Sequence, residues 1–98
     1  MAEKGKQQTE ANHPYQEGQV WFFFCATRYV IGRVQKVFPL EILLSEASWV
    51  PNTGRMYNVL LKGEFEEVEP YPSGTCVIGR LAVNDASLCN FEPPRKQK

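Results

Sequence analysis

The side chains best suited to chemistry are arginines set near aromatic rings. Arg28 precedes Tyr29, Arg55 stands two residues before Tyr57, and Arg33, Arg80 and Trp49 lie in or beside strand-like runs. A guanidinium is a planar fork that grips two phosphate oxygens, and an aromatic face stacks on a base. Arg28, Arg33, Trp49, Arg55, Tyr57 and Arg80 are therefore the candidate ligand-binding residues, and the ligand they imply is a nucleotide-type anion or a short RNA. The alternative for Arg33 and Arg80 is an ordinary outward strand position paired with Glu41, Glu46 or Glu69; for Trp49 it is packing. Arg55 falls in the expected first turn of a helix, where a cation opposes the helix dipole, which favours a ligand, an acid or an interface beside it.

Catalytic arrangements are missing from the residue inventory. The one histidine, His13, sits in a polar N-terminal stretch, and no nucleophile and base are paired. Glu64, Glu66, Glu67 and Glu69 cluster without a metal-site pattern and read as a solvated face. Gly54 and Gly74 are isolated turn glycines rather than a phosphate loop. Cys25, Cys76 and Cys89 form an odd set with no CxxC spacing; Cys25 and Cys76 lie in apolar runs and read as small buried hydrophobes, not zinc ligands. The expectation is a non-enzymatic binding protein with no metal and no cofactor.

Eleven basic and eleven acidic residues give 98 residues a net charge of zero, which does not suit a protein that coats nucleic acid through bulk charge. Apolar residues at 43% and aromatics at 12% are globular values. Residues 1–18 read as a flexible arm, 19–92 as one small domain, and 93–98 as a basic tail carrying Arg95, Lys96 and Lys98. The first apolar run, 20–26, is too short to cross a membrane, and the polar start does not resemble a signal peptide. A cytoplasmic setting with reduced thiols, and no membrane partner, is the expectation.

The elements that must position these side chains are short strands. Val30-Ile31-Gly32-Arg33-Val34 returns as Val77-Ile78-Gly79-Arg80-Leu81, and each copy is later followed by acid-Ala-Ser, at 46–48 and 85–87. Alternation places Val30, Gly32 and Val34 on one face and Val77, Gly79 and Leu81 on the matching face, with Arg33 and Arg80 opposite. The glycines suit a bend or bulge. Two equivalent arginines could then meet around one anion in a pseudo-symmetric or ring assembly. Residues 19–26 are nearly all apolar, so both faces need cover, by the core and by a helix, the tail or another subunit; a homo-oligomer joined through this first strand is expected. Further strands are expected at 29–38, 40–45, 75–83 and 88–91, with turns at 51–52, 70–74 and 84–85. A helix is expected at 54–62, N-capped by Asn52 or Thr53 and stopped by Gly63. The sum is a mainly β fold, a small, strongly bent Sm-like or SH3-like β-barrel of four to six short strands with one short helix between the two repeats.

Gly32, Val34, Val37, Leu44, Glu46 and Ala47 resemble the first motif of the Sm-like (Hfq, Sm and LSm) family, and the second VIGR phrase is similar to that family's second motif with its Gly-Arg order reversed. The resemblance implies a small RNA-binding barrel. The turn that holds the family's Asp and Asn reads Phe38-Pro39-Leu40-Glu41 here, so its base-binding pair does not carry over. Residues 18–98 also resemble uncharacterised proteins of about this length from phage and bacterial genomes, through Ala47-Ser48-Trp49-Val50, Thr53-Gly54-Arg55, Glu67-Val68-Glu69-Pro70 and the closing Pro94-Arg95-Lys96-Gln97-Lys98. That resemblance implies a phage-related origin, in which sequestering a host nucleotide signal, or a structural role in virion assembly, would suit such a scaffold.

Overall fold

A computed structural model describes residues 12–98 of the chain. The elements are β1 (Val20–Cys25), β2 (Tyr29–Val37), β3 (Glu41–Asn52), α1 (Met56–Lys62), β4 (Glu67–Pro70), β5 (Cys76–Gly79), a 3-10 turn (Arg80–Ala82) and β6 (Val83–Cys89). The fold is mainly β with one short helix, as expected. The six strands form one antiparallel sheet in the order β4-β3-β2-β1-β6, with β5 also on β3.

β3 organises the sheet. Its first half, Glu41 to Leu44, pairs with β5, and its second half, from Ser48, pairs with β4, while β2 runs along the opposite edge. One strand can serve two neighbours because it is kinked between the halves. Glu46 takes a left-handed backbone (φ 51), and the β2–β3 register slips between Ile31 and Arg33. Gly32 lies at this bulge, where an added Cβ would come within 3.1 Å of Leu44 Cβ and 3.3 Å of Ala47 Cα. Only glycine lets the two strands approach so closely. The 71–75 loop then bridges the kink: Ala47 N donates to Gly74 O at 3.0 Å, and Tyr71 N donates to Ala47 O at 3.0 Å.

The apolar run of β1 is explained within one chain. Phe23 and Cys25 point into a core with Val30, Val34, Ile42, Leu44 and Ile78. Val20 and Phe22 point the other way into a second core with Ile31, Val50, Val59, Phe65, Val68 and Cys89. α1 is the lid of that second layer. It has only seven residues, too few to persist alone, so docking through buried Val59 and half-buried Met56 and Leu60 holds it. Gly63 stops it in the left-handed conformation (φ 72), its N–H meeting Asn58 O and Val59 O. The Phe91 ring packs where a Gly63 Cβ would stand, at 2.8 Å.

Several sequence expectations change. The VIGR copies are not equivalent. Val30 and Ile31 are both buried, whereas Val77 is 50% exposed, Leu81 is 92% exposed, and Cys76 and Ile78 supply the inward side chains. The second copy stops being a strand at Gly79, so the face predicted for Val77, Gly79 and Leu81 is the outer one. The strand expected at 40–45 instead runs on through the Glu46 kink to Asn52. Asn84 and Asp85 lie inside β6, opposite the end of β1, not in a turn. α1 begins at Met56 behind Arg55, and neither Asn52 nor Thr53 caps it; Asn52 Oδ1 instead accepts from Gly54 N.

The two ends are docked where they are described. Most of the arm expected at 1–18 lies outside the described residues; from 12 onward, Tyr15 packs on the first core, its ring centroid 5.0 Å from that of Trp21 and 5.7 Å from that of Phe23. The basic stretch 93–98 does not hang free: Pro93 is buried, and Val68 and Lys98 exchange backbone hydrogen bonds of 2.9 Å in both directions.

Candidate functional site

The six residues singled out in the sequence do not converge. Arg33 leaves β2 to form a clasp: its Nε donates to Glu46 Oε2 at 2.8 Å, its Nη1 to Gly18 O at 2.8 Å, and its Nη2 to Glu92. Arg95 closes the other side of Glu46 at 2.8 Å. Hydrogen bonding to Arg33 holds the Glu46 carboxyl below its ordinary range, and the same bond raises Arg33. This clasp ties the C-terminal segment to the β3 kink and satisfies the alternative in which Arg33 pairs with Glu46. Arg80 has a different set of partners, donating to Phe38 O and Pro39 O at 3.0 Å and to Asn12 O at 3.2 Å. It pins the β2–β3 turn to the N-terminal stretch. The two arginines share no partner among the described residues.

The other four lie apart. Arg28 is exposed in the β1–β2 turn, beside Tyr71, whose hydroxyl is pushed up chiefly by burial. Trp49 is 43% exposed on β3 opposite Val30. Arg55 precedes α1 and lines a shallow cavity of about 300 Å³ with Thr53, Asn58 and Lys98, facing Glu64 and Glu66. Tyr57, on α1, is 73% exposed. Among the described residues no three His, Cys, Asp or Glu side chains converge to hold a metal ion, and no helix is long and apolar enough to cross a membrane. Burial pushes the thiol of Cys25 up, and that of Cys89 up to about 11, so both are protonated, unreactive packing groups at neutral pH.

A different concavity has the geometry of a site. Between α1 and the β1–β6 pair lies a groove of about 440 Å³ walled by Phe22, Phe24, Tyr29, Met56, Leu60, Asp85, Ala86 and Ser87. Its aromatic wall follows from strand register. Phe22 and Phe24 are two apart on β1 and so share a face; Tyr29 is the cross-strand partner of Phe24, and Asp85 and Ser87 are the partners of Phe24 and Phe22 on β6. The rings pack in sequence, Phe22 stacked on Tyr29 at 5.5 Å and Phe24 tilted against Tyr29 at 4.9 Å between centroids. Phe22 is 3% exposed and forms the floor, while Phe24 is 41% exposed and forms the rim. Met56 and Leu60, one helical turn apart, supply the facing wall.

Among the described residues one carboxylate, Asp85, and no cation line this groove. Asp85 is exposed and makes no ion pair among the described residues. Among the described residues β6 pairs with β1 alone, so its outer edge offers backbone groups to a further strand. Sequence reasoning missed the groove, apart from noting Tyr29 beside Arg28, because Asp85 was expected in a turn. Nothing in the run Phe22-Phe23-Phe24 says which ring is left at the surface. Comparison with family models, with curated proteins and with solved structures finds no match to this chain.

Proposed function

We propose that this protein is a non-enzymatic binding module whose ligand site is the aromatic groove between α1 and β6. The observation that carries the reading is the half-exposed Phe24 ring, packed at a tilt on Tyr29 at the mouth of a 440 Å³ concavity with a carboxylate on its rim. Apolar walls with few polar groups are the usual form of a small binding site, and an aromatic ring left at its edge can be covered by a partner. The test is selection of random hexapeptides on the whole protein. Enriched sequences should bind the Leu81→Ala variant, altered at a 92%-exposed position outside the groove, and lose binding to Phe24→Ala. No enrichment, or enriched sequences indifferent to Phe24, would overturn the reading.

A second reading keeps the nucleotide-type anion or short RNA expected from the sequence, in a phage-related setting. Its support is the pair of cations, Arg55 and Lys98, on one shallow cavity. Glu64 and Glu66 on the same wall oppose an anion there. A thermal-shift series with cyclic dinucleotides, ADP-ribose derivatives and oligo-U tests it: stabilisation that Arg55→Ala removes supports it, and no stabilisation refutes it. The homo-oligomer expected through β1 would form through what remains exposed near that strand, Phe24 and Leu88, and light scattering reads it directly.

A further inference from the structure

We infer that the groove takes an arginine or lysine side chain from an extended segment of a protein partner, which adds as a strand to the free edge of β6. The inference rests on the groove being the binding site and names what fills it. Three features of the groove point the same way.

The first is charge. Among the described residues Asp85 is the only charged side chain lining the groove and makes no ion pair. An anion brought near it would be repelled, and a purely apolar ligand would strip water from a carboxylate without replacing the lost hydrogen bonds. A guanidinium or ammonium group satisfies it.

The second is the aromatic wall. The Phe24 and Tyr29 rings, 4.9 Å apart, stand beside Asp85 because Tyr29 and Asp85 are the two cross-strand neighbours of Phe24. A cation over such faces is attracted by their electron-rich centres. The long methylene stem of lysine or arginine can meanwhile lie along Met56 and Leu60, with its charged end at the wet rim where Asp85 sits.

The third is the backbone. Asp85, Ala86 and Ser87 are consecutive residues of an edge strand, and an extended segment paired alongside them would project alternate side chains toward the groove. A free amine would use the first two features and leave this edge unused. An extended peptide uses all three.

The experiment uses the whole protein and a positional-scanning library of acetylated hexapeptides with one internal position fixed as Arg, Lys, norleucine or Glu, read by fluorescence polarisation. Arg and Lys pools should bind best, norleucine weakly and Glu not at all. Asp85→Asn should weaken the Arg pool about fivefold, the upper end for an exposed ion pair, and leave the norleucine pool unchanged. Raising the salt should weaken binding to the wild type but not to Asp85→Asn. Equal binding of norleucine and Arg pools, or no effect of Asp85→Asn, overturns the cation assignment while leaving the groove as a site. Absence of binding by every pool overturns the groove reading itself. An N-methylated Arg pool that binds as well as the unmethylated one overturns the strand addition.

Discussion

Replacing each glycine of the repeated VIGR phrase by alanine should give opposite results. At Gly32 a Cβ would meet Leu44 Cβ at 3.1 Å and Ala47 Cα and Cβ at 3.3 Å. Neither neighbour can withdraw easily: Leu44 and Ala47 are buried, and the backbone of Ala47 is fixed by its bonds to Tyr71 and Gly74. Overpacking of this kind costs roughly 1–3 kcal/mol. The lower conformational entropy of unfolded alanine offsets about 0.4–1 kcal/mol of it. The net is a loss of about 1–2 kcal/mol, which for a domain of this size lowers Tm by roughly 4–16 °C. At Gly79 the nearest atom is Ala82 Cβ at 4.0 Å, and the backbone, φ −78 and ψ 132, suits alanine. Only the entropic gain remains, so Gly79→Ala should be neutral or stabilising by up to about 1 kcal/mol. Urea unfolding followed by Trp21 and Trp49 fluorescence measures both variants. Equal destabilisation would refute the argument, because it would make the two copies structurally alike.

Three further outcomes follow from buried and charged groups. Ser48 is fully buried and its hydroxyl has no partner among the described residues, so Ser48→Ala should stabilise the fold by about 1 kcal/mol in chemical unfolding; a loss of stability would mean the hydroxyl is satisfied. Burial raises the Cys89 thiol from 9.0 to about 11, so its contribution is complete below pH 9 and is lost as pH rises toward 11. Stability should fall over that window, and the fall should be shallower in Cys89→Ala; parallel curves would contradict the assignment. Glu46 has the opposite sign: its carboxyl is held below the ordinary 4.5, so the Arg33 clasp contributes above that pH and fades as pH drops through the lowered value. Arg33→Met should flatten the acid limb, and an unchanged limb would show that the clasp adds nothing to stability.

Much of the fold is legible in the sequence. An aromatic run marks β1 and a β-branched one β2, Gly63 marks the end of α1, and the unbroken apolar run of β1 requires a second layer. The layer proves to be the chain's own α1, with Phe65, Val68 and Cys89, so the same pattern that suggested a neighbouring subunit is satisfied internally. The path of β3 is not legible, because its kink rests on a left-handed glutamate, a conformation that residue type disfavours and only the surrounding bonds impose. Identical phrases gave unlike strands for a related reason: Gly32 is crowded between β2 and β3, whereas the chain after Gly79 enters a 3-10 turn. The arginines read from sequence as anion-seekers, but for Arg33 the anions are the chain's own Glu46 and Glu92, and Arg80 holds main-chain carbonyls instead. The groove escaped notice because it is made by register, which sets Tyr29 and Asp85 on either side of Phe24 from opposite ends of the domain.

Amide shift mapping of the isotope-labelled protein with the arginine-fixed hexapeptide pool tests the aromatic groove most directly. Perturbations should concentrate at Phe24, Tyr29, Met56, Leu60 and residues 85–87, with Arg33, Arg80 and Val77 unmoved. Shifts centred on those last three residues, or none anywhere, would contradict it.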